Sequence, residues 1–156
     1  GQGTAGLRAG YGLTITSDAK VHWIATVGAE TNEVTLTVTV NQWTHLTALY
    51  DYPSSTIKLY ASLGTGEAPT LIGMHWFAAG SAGIPAPISF VQHNDMLLGK
   101  FQPLFDQDYY YSGYMDELRF WDVAMTPAAI EASLYRVYFP NSAQLQAQDI
   151  VGYWSM

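Results

Sequence analysis

Apolar and polar residues alternate over much of the chain, and a two-residue period is the pattern of a β-strand with one buried face. The clearest run spans residues 33–40, where valine or leucine alternates with threonine. Its inward-facing residues are predicted to be Val34, Leu36, Val38 and Val40. Turn-forming residues separate this run from other strand-like segments. These segments are residues 12–16, 21–28, 43–51, 56–63, 69–76, 88–92, 96–101 and 150–154.

One segment has helical spacing instead. Thr126 can cap the first turn through its hydroxyl group, and Pro127 suits the first helical position because that position needs no N–H donor. Apolar residues at helical spacing follow, and they are Ile130, Leu134 and Val137. Since Pro140 cannot continue a helix, we predict one short helix over about residues 126–138.

About ten short strands and a single helix are typical of an all-β fold, and we predict an antiparallel two-sheet sandwich. A closed barrel is the structural alternative. The chain, residues 1–156, is expected to form one domain of a longer protein, because it begins with neither methionine nor a signal peptide. Residues 140–156 are expected to form a linker and a strand, which either closes this domain or begins the next one.

The composition narrows the classes of function. Charged residues make up 12% of the chain, the formal net charge is −7 and no basic run is present, so nucleic acids and anionic membrane surfaces are unfavourable partners. No apolar stretch reaches the length of about 18 residues that a membrane span needs. The absence of cysteine excludes disulfides and thiolate metal sites.

Several segments carry a recognisable motif, and together they cover about residues 43–139. They are Trp43 to Asp51 with Ile57 to Tyr60, then Leu97-Leu98-Gly99, then Gly113-Tyr114-Met115-Asp116-Glu117-Leu118-Arg119-Phe120-Trp121, then Ala124 to Ile130. This pattern resembles the laminin-G-like and pentraxin-like branch of the concanavalin A-like lectin and glucanase superfamily. The resemblance implies a jelly-roll sandwich, usually extracellular or at the cell surface, that binds carbohydrates or proteins and often holds calcium.

The chain departs from the pentraxin branch in two ways. Gly99 is followed by Lys100 and Phe101 instead of the acidic and amide cluster that holds calcium in that branch, and the pentraxin cysteine pair is missing. The resemblance therefore does not carry over that particular calcium site.

Catalysis is not expected. Glucanases of this superfamily carry carboxylates at alternate strand positions, whereas Asp116 and Glu117 are adjacent and would point to opposite faces of a strand. The structural interpretation of this pair is that one carboxylate binds Arg119 or receives backbone N–H groups at a turn. A degenerate hydrolase would need two carboxylates facing each other across a groove.

Calcium is the one cofactor that the acidic residues could hold, because it takes six to eight oxygen ligands and the loop around residues 105–111 supplies alternate carboxylates. The candidate ligands are Asp95, Asp106, Asp108 and Asp116. The alternative is a solvated acidic loop without a metal.

Carbohydrate binding requires exposed aromatic rings with polar groups beside them. The candidate residues are Tyr52, Trp76, Tyr109 and Tyr110, with Asn94 as a hydrogen-bonding partner. Three tryptophans in strand-like segments are instead predicted to lie in the core, and these are Trp23, Trp43 and Trp121.

The sequence thus predicts a non-catalytic recognition or adhesion module of a larger extracellular protein. Its expected partner is a glycan or glycoprotein, bound with or without calcium. The alternative is a structural or assembly domain, such as a spacer or a component of a toxin or virion, that contacts neighbouring domains and binds no small ligand.

Overall fold

The computed structural model describes residues 10–27, 30–51, 53–62, 67–77, 98–101, 109–134, 136 and 150–154. The described residues form ten strands and one short helix, and every strand pair is antiparallel. The all-β class is therefore confirmed, while the jelly-roll strand order stays a prediction. The chain divides into two compact units, Gly1–Met96 and Leu97–Met156.

Two three-stranded sheets make up the first unit. The first sheet has the order β1-β2-β3, and the second has the order β4-β5-β6. The strands are β1 (Gly10–Ile15), β2 (Lys20–Val27), β3 (Glu30–Thr37), β4 (His45–Asp51), β5 (Thr56–Ser62) and β6 (Thr70–Trp76). The ends of each strand lie within three residues of the ends of a segment predicted from the sequence. The sequence pattern therefore located all six strands.

Both sheets contribute to one apolar core. Alternate residues of β2 face inward and are buried, which is the expected result of the two-residue period. The buried cluster consists of Val21, Trp23, Ala25, Val34, Ile57, Leu59 and Phe77. Leu36 and Val38 pack against this cluster, as the alternation over residues 33–40 predicts. These contacts make the first unit a two-sheet sandwich.

Polar contacts also join the two sheets. The Trp23 indole N–H donates to the backbone carbonyl of Leu49 at 3.1 Å, and the Asn32 amide donates to the carbonyl of Trp76 at 3.1 Å. Gly73 lets β6 approach β3 closely, because a Cβ atom there would lie 2.9 Å from a methyl group of Val34. The side of the sandwich formed by β3 and β6 is therefore tightly closed.

Strand β1 is at the edge of the first sheet as far as the described residues go, and it is covered much less than β2. Its inward-facing row is Tyr11, Leu13 and Ile15, and each of these side chains remains nearly half exposed. They pair in register with the buried residues of β2, so they lie on the core side of the sheet. In the described part of the chain, the sandwich is therefore open beside β1.

Two core predictions were wrong, for Val40 and Trp43. These side chains are 67% and 65% exposed, since β3 ends at Thr37 and β4 begins only at His45. The intervening residues include Asn41 in the left-handed region at a φ of 64°. The alternation continues through this connection, but its residues leave the sheet surface as the chain crosses from the first sheet to the second.

The turn between β1 and β2 holds Ala19 at a φ of 59°, where the Cβ atom of an L-residue is unfavourable. We expect Ala19→Gly to raise the free energy of unfolding by about 0.5–1 kcal/mol, because glycine has no such steric cost. Urea denaturation measures this change. Ala48→Gly, on a strand with negative φ, is the control and should lower stability instead.

The second unit contains two short ladders and the helix. Strand β7 (Lys100–Phe101) pairs with β8 (Tyr109–Tyr110), and β9 (Leu118–Trp121) pairs with β10 (Ile150–Trp154). The terminal strand-like segment at residues 150–154 is therefore a strand, and its partner is β9. Strand β8 was not predicted. The predicted strand at residues 88–92 lies outside the described residues.

Helix α1 spans Pro127–Ser133 and begins as predicted. The Thr126 hydroxyl accepts a hydrogen bond from the Ala129 N–H at 3.2 Å, and Ile130 is buried. The predicted end near residue 138 is wrong, because the helix ends at Ser133. The backbone hydrogen bonds at this end join residues three positions apart instead of four. Among the described residues, no helix is long and apolar enough to cross a membrane.

Candidate functional site

An exposed aromatic segment follows β8 in the second unit. We call residues 110–116 the tyrosine loop. The β7–β8 ladder fixes where it begins, because Lys100 pairs with Tyr110 and the Tyr111 N–H donates to the carbonyl of Gly99 at 2.9 Å. Gly99 has a φ of 71°, a conformation that glycine adopts without strain.

Two rings of the tyrosine loop stand in solvent. Tyr110 is 72% exposed and Tyr114 is 87% exposed, while Tyr111 and Met115 are covered further. Two exposed aromatic rings in one short segment form a candidate contact surface.

Contacts within the loop hold its shape. The Tyr111 hydroxyl donates to the Tyr114 carbonyl at 3.2 Å. The Tyr111 ring also lies directly against Gly113, so closely that a Cβ atom at this position would collide with the phenol. The loop is therefore built around the Tyr111 side chain, while the side chains of Tyr110 and Tyr114 are exposed on its surface.

The acidic pair at the end of the loop precedes β9 and does not lie on a strand, contrary to the geometry assumed from the sequence. The exposed Asp116 carboxylate accepts the Glu117 N–H at 2.8 Å. Glu117 adopts a φ of 55°. This conformation is uncommon for a residue other than glycine, asparagine or aspartate, so surrounding contacts must stabilise it.

Arg119 provides those contacts. Its guanidinium binds the Glu117 carboxylate at 2.7 Å, and its side chain is 7% exposed. The other carboxylate oxygen of Glu117 accepts a hydrogen bond from the Tyr153 hydroxyl at 2.8 Å. The predicted ion pair between Glu117 and Arg119 is therefore present, and Tyr153 of β10 joins it.

The same guanidinium also closes the end of α1. It donates to the carbonyl of Ser133 at 2.5 Å and to the carbonyl of Arg136 at 2.6 Å. Carbonyl groups at a helix C-terminus have no partner within the helix, and a cation suits them. Arg119 thus binds carbonyl groups at the C-terminal end of α1, and it joins the base of the tyrosine loop to β10 and the helix.

The structure describes four of the nine predicted site residues. Tyr109 and Tyr110 form β8, and Tyr110 is also the first residue of the tyrosine loop. Trp76 is exposed at the end of β6 in the first unit. The remaining aromatic and amide candidates, Tyr52 and Asn94, lie outside the described residues, as do three candidate calcium ligands. These three are Asp95, Asp106 and Asp108.

Asp116 is the one candidate calcium ligand that the structure describes. Over the described ranges, no group of three or more histidine, aspartate or glutamate side chains is arranged to hold a metal ion. The Asp116 carboxylate is exposed, with one oxygen accepting a backbone N–H. Calcium binding by the four aspartates together stays a prediction.

Sequence reasoning missed Tyr114, which is the most exposed of the large hydrophobic and aromatic side chains in the described residues. It lies inside the motif that carries the family resemblance, at a position interpreted only as part of a strand. The adjacent Gly113 was the available signal, because a glycine within a strand-like segment is compatible with a loop as well as with a strand.

Comparison of the chain with models of protein families, with curated proteins and with solved structures gave no match. The laminin-G-like assignment therefore stays a prediction from the motif residues.

Proposed function

We propose that the chain is a non-catalytic recognition module that binds carbohydrate through the tyrosine loop. The observation that carries the proposal is the pair of solvent-exposed rings at Tyr110 and Tyr114 on a loop with internal contacts. The apolar face of a sugar ring packs on an aromatic ring, and such a surface needs its rings to be held in place.

Polar groups beside the rings support the same function. Asp116 presents an exposed carboxylate at the end of the loop, and a carboxylate accepts hydrogen bonds from sugar hydroxyl groups. The chain's net charge of −7 favours neutral glycans over highly sulfated or phosphorylated ones. An extracellular location and a role in adhesion are parts of this proposal.

The test is a glycan array probed with the folded chain, with and without a calcium chelator. For a glycan that binds, Tyr114→Ala is expected to weaken the affinity about tenfold, because it removes a stacking ring. Tyr114→Phe retains the ring and should bind nearly as well as the parent chain. Val151→Ala, which truncates an exposed side chain on β10, is the control and should leave binding unchanged.

Uniformly blank arrays from a folded sample would contradict the proposal. Equal affinity of the parent chain and the Tyr110→Ala, Tyr114→Ala double variant would place the binding site elsewhere. Binding that is present without the chelator and absent with it would indicate that calcium assists.

A structural or assembly role is the second candidate function, and the partly exposed hydrophobic side chains on β1 favour it. Tyr11, Leu13 and Ile15 are apolar, nearly half exposed and on an edge strand, which is where sheets of different molecules or domains join. Light scattering of the purified chain distinguishes the two functions, since concentration-dependent association without glycan binding supports assembly.

A further inference from the structure

Trp76 is exposed on the first unit, and the proposed function leaves it without a role. It is one of the aromatic residues predicted above to bind sugar, and it is 63% exposed at the end of β6. Its backbone is nevertheless fixed, because the Trp76 carbonyl accepts the Asn32 amide at 3.1 Å. The next residue, Phe77, is buried, and its N–H donates to the carbonyl of Ser55 at 2.9 Å. The indole therefore stands in solvent on a strand end that is held in place.

The strand register shows which side chains share a face with Trp76. Trp76 is opposite Thr56 of β5, and Thr56 is opposite Asp51 of β4, so these three residues form a line across the second sheet. Directly opposite residues of antiparallel strands project from the same face, as do alternate residues of one strand. Lys58, two residues after Thr56, is therefore a diagonal neighbour of Trp76. Ile57 between them belongs to the buried cluster, so the shared face points away from the core.

Asp51 and Lys58 form an ion pair on this face. The Lys58 ammonium group donates to the Asp51 carboxylate at 3.0 Å, and the Asp51 and Lys58 side chains are 20% and 23% exposed. A hydrogen bond from Ser54, together with Lys58, lowers the pKa of Asp51, so its carboxyl group is ionised at neutral pH. Since Thr56 is buried, a ligand on this face meets the indole and the ion pair.

The chemistry of these groups selects a neutral ligand that carries hydroxyl groups. Strands β4, β5 and β6 contain one lysine and one aspartate and no other lysine, arginine, aspartate or glutamate, and a charged ligand would have to break that pair. The carboxylate accepts hydrogen bonds, the ammonium group donates them, and a hydroxyl group can do both. A sugar combines hydroxyl groups with an apolar ring face that packs on an aromatic ring.

We infer that Trp76, Asp51 and Lys58 form a second carbohydrate-binding site, which lies on the first unit and takes a neutral sugar. The indole supplies the stacking surface. The ion pair supplies a donor and an acceptor one and two strands away from it, at a spacing of about 5–10 Å. This site contains no residue of the tyrosine loop, so it binds sugar independently of that loop.

The test is an array of neutral glycans probed with the double variant Tyr110→Ala, Tyr114→Ala, which lacks both exposed rings of the tyrosine loop. This variant is expected to retain binding to neutral glycans. Adding Trp76→Ala should weaken that binding about tenfold, whereas Trp76→Phe should retain part of it because a ring remains. Trp43→Ala is the matched control and should change nothing, because Trp43 is 65% exposed in the same unit but lies outside the three strands.

A blank array for the double variant would overturn the second site, and so would equal effects of Trp76→Ala and Trp43→Ala. The tyrosine loop is judged separately, since the proposed function fails if the double variant binds every glycan as tightly as the parent chain. Indole N–H signals in a proton–nitrogen-15 spectrum give a second measurement. When a bound glycan is added to the double variant, the Trp76 signal should shift while that of the buried Trp23 stays in place. An unmoved Trp76 signal would also overturn the inference.

Discussion

Arg119→Met is expected to lower the free energy of unfolding by about 3–5 kcal/mol. The substitution keeps much of the side-chain length but removes every hydrogen bond that the guanidinium makes. It leaves Glu117 without its cation and the carbonyls of Ser133 and Arg136 without this donor. Urea denaturation monitored by fluorescence measures the loss, because Trp121 and Trp154 lie on the strands beside this group.

Arg136→Met is the matched control for Arg119→Met. Arg119 contacts Arg136 through the backbone carbonyl, and the Arg136 side chain is exposed. Replacing that side chain should therefore change the free energy of unfolding by no more than about 0.5 kcal/mol. Arg119→Lys should recover part of the loss, since an ammonium group supplies charge but not the planar fork. A loss below about 1 kcal/mol for Arg119→Met would show that the guanidinium does not hold these segments together.

Trp23→Ala is expected to cost about 3–5 kcal/mol, because it opens a cavity between the two sheets of the first unit. The indole is buried in the common core, and its N–H joins β2 to the carbonyl of Leu49 on β4. Trp23→Phe should cost less, since it keeps most of the apolar volume and loses the hydrogen bond. Both variants are measured by urea denaturation, where the midpoint should fall without a large change in slope.

Trp43→Ala provides the comparison within the same unit. Trp43 is largely exposed between β3 and β4, so its removal should change stability by no more than about 0.5 kcal/mol. Similar losses for Trp23→Ala and Trp43→Ala would contradict the core described above, because they would mean that both rings are packed equally.

The first unit was largely predictable because alternation is a local signal. Inward positions such as Val34 and Leu36 follow from the two-residue period alone. The ends of the strands do not follow from it. Val40 continues the alternation of β3, but the chain has already turned toward the second sheet there, and where it turns depends on the packing of that second sheet.

The second unit was predictable only where partners are close in sequence. The Glu117–Arg119 pair joins residues two apart, and the Thr126 cap joins residues three apart, so both could be inferred. The bonds from Arg119 to Ser133 and Arg136 span 14 and 17 residues. Spacing carries no information about such distant partners, so neither the early end of α1 nor the loop conformation of Glu117 could be anticipated.

The same limit applies to the candidate binding surface. Tyr110 was identified because it follows an acidic aromatic stretch, whereas Tyr114 lies within a motif that suggested a strand. Whether an aromatic ring is exposed depends on what the rest of the fold leaves uncovered, and no local spacing in the sequence reports that the ring of Tyr114 is exposed while Tyr111 packs against Gly113.

Among the described residues, the sandwich of the first unit is closed along one side and open along the other. The closed side is where β3 meets β6, at Asn32, Val34 and Gly73, and β1 lies on the open side. We therefore expect local unfolding of the first unit to begin at β1, which can detach from β2 while the strands that hold the buried cluster stay assembled.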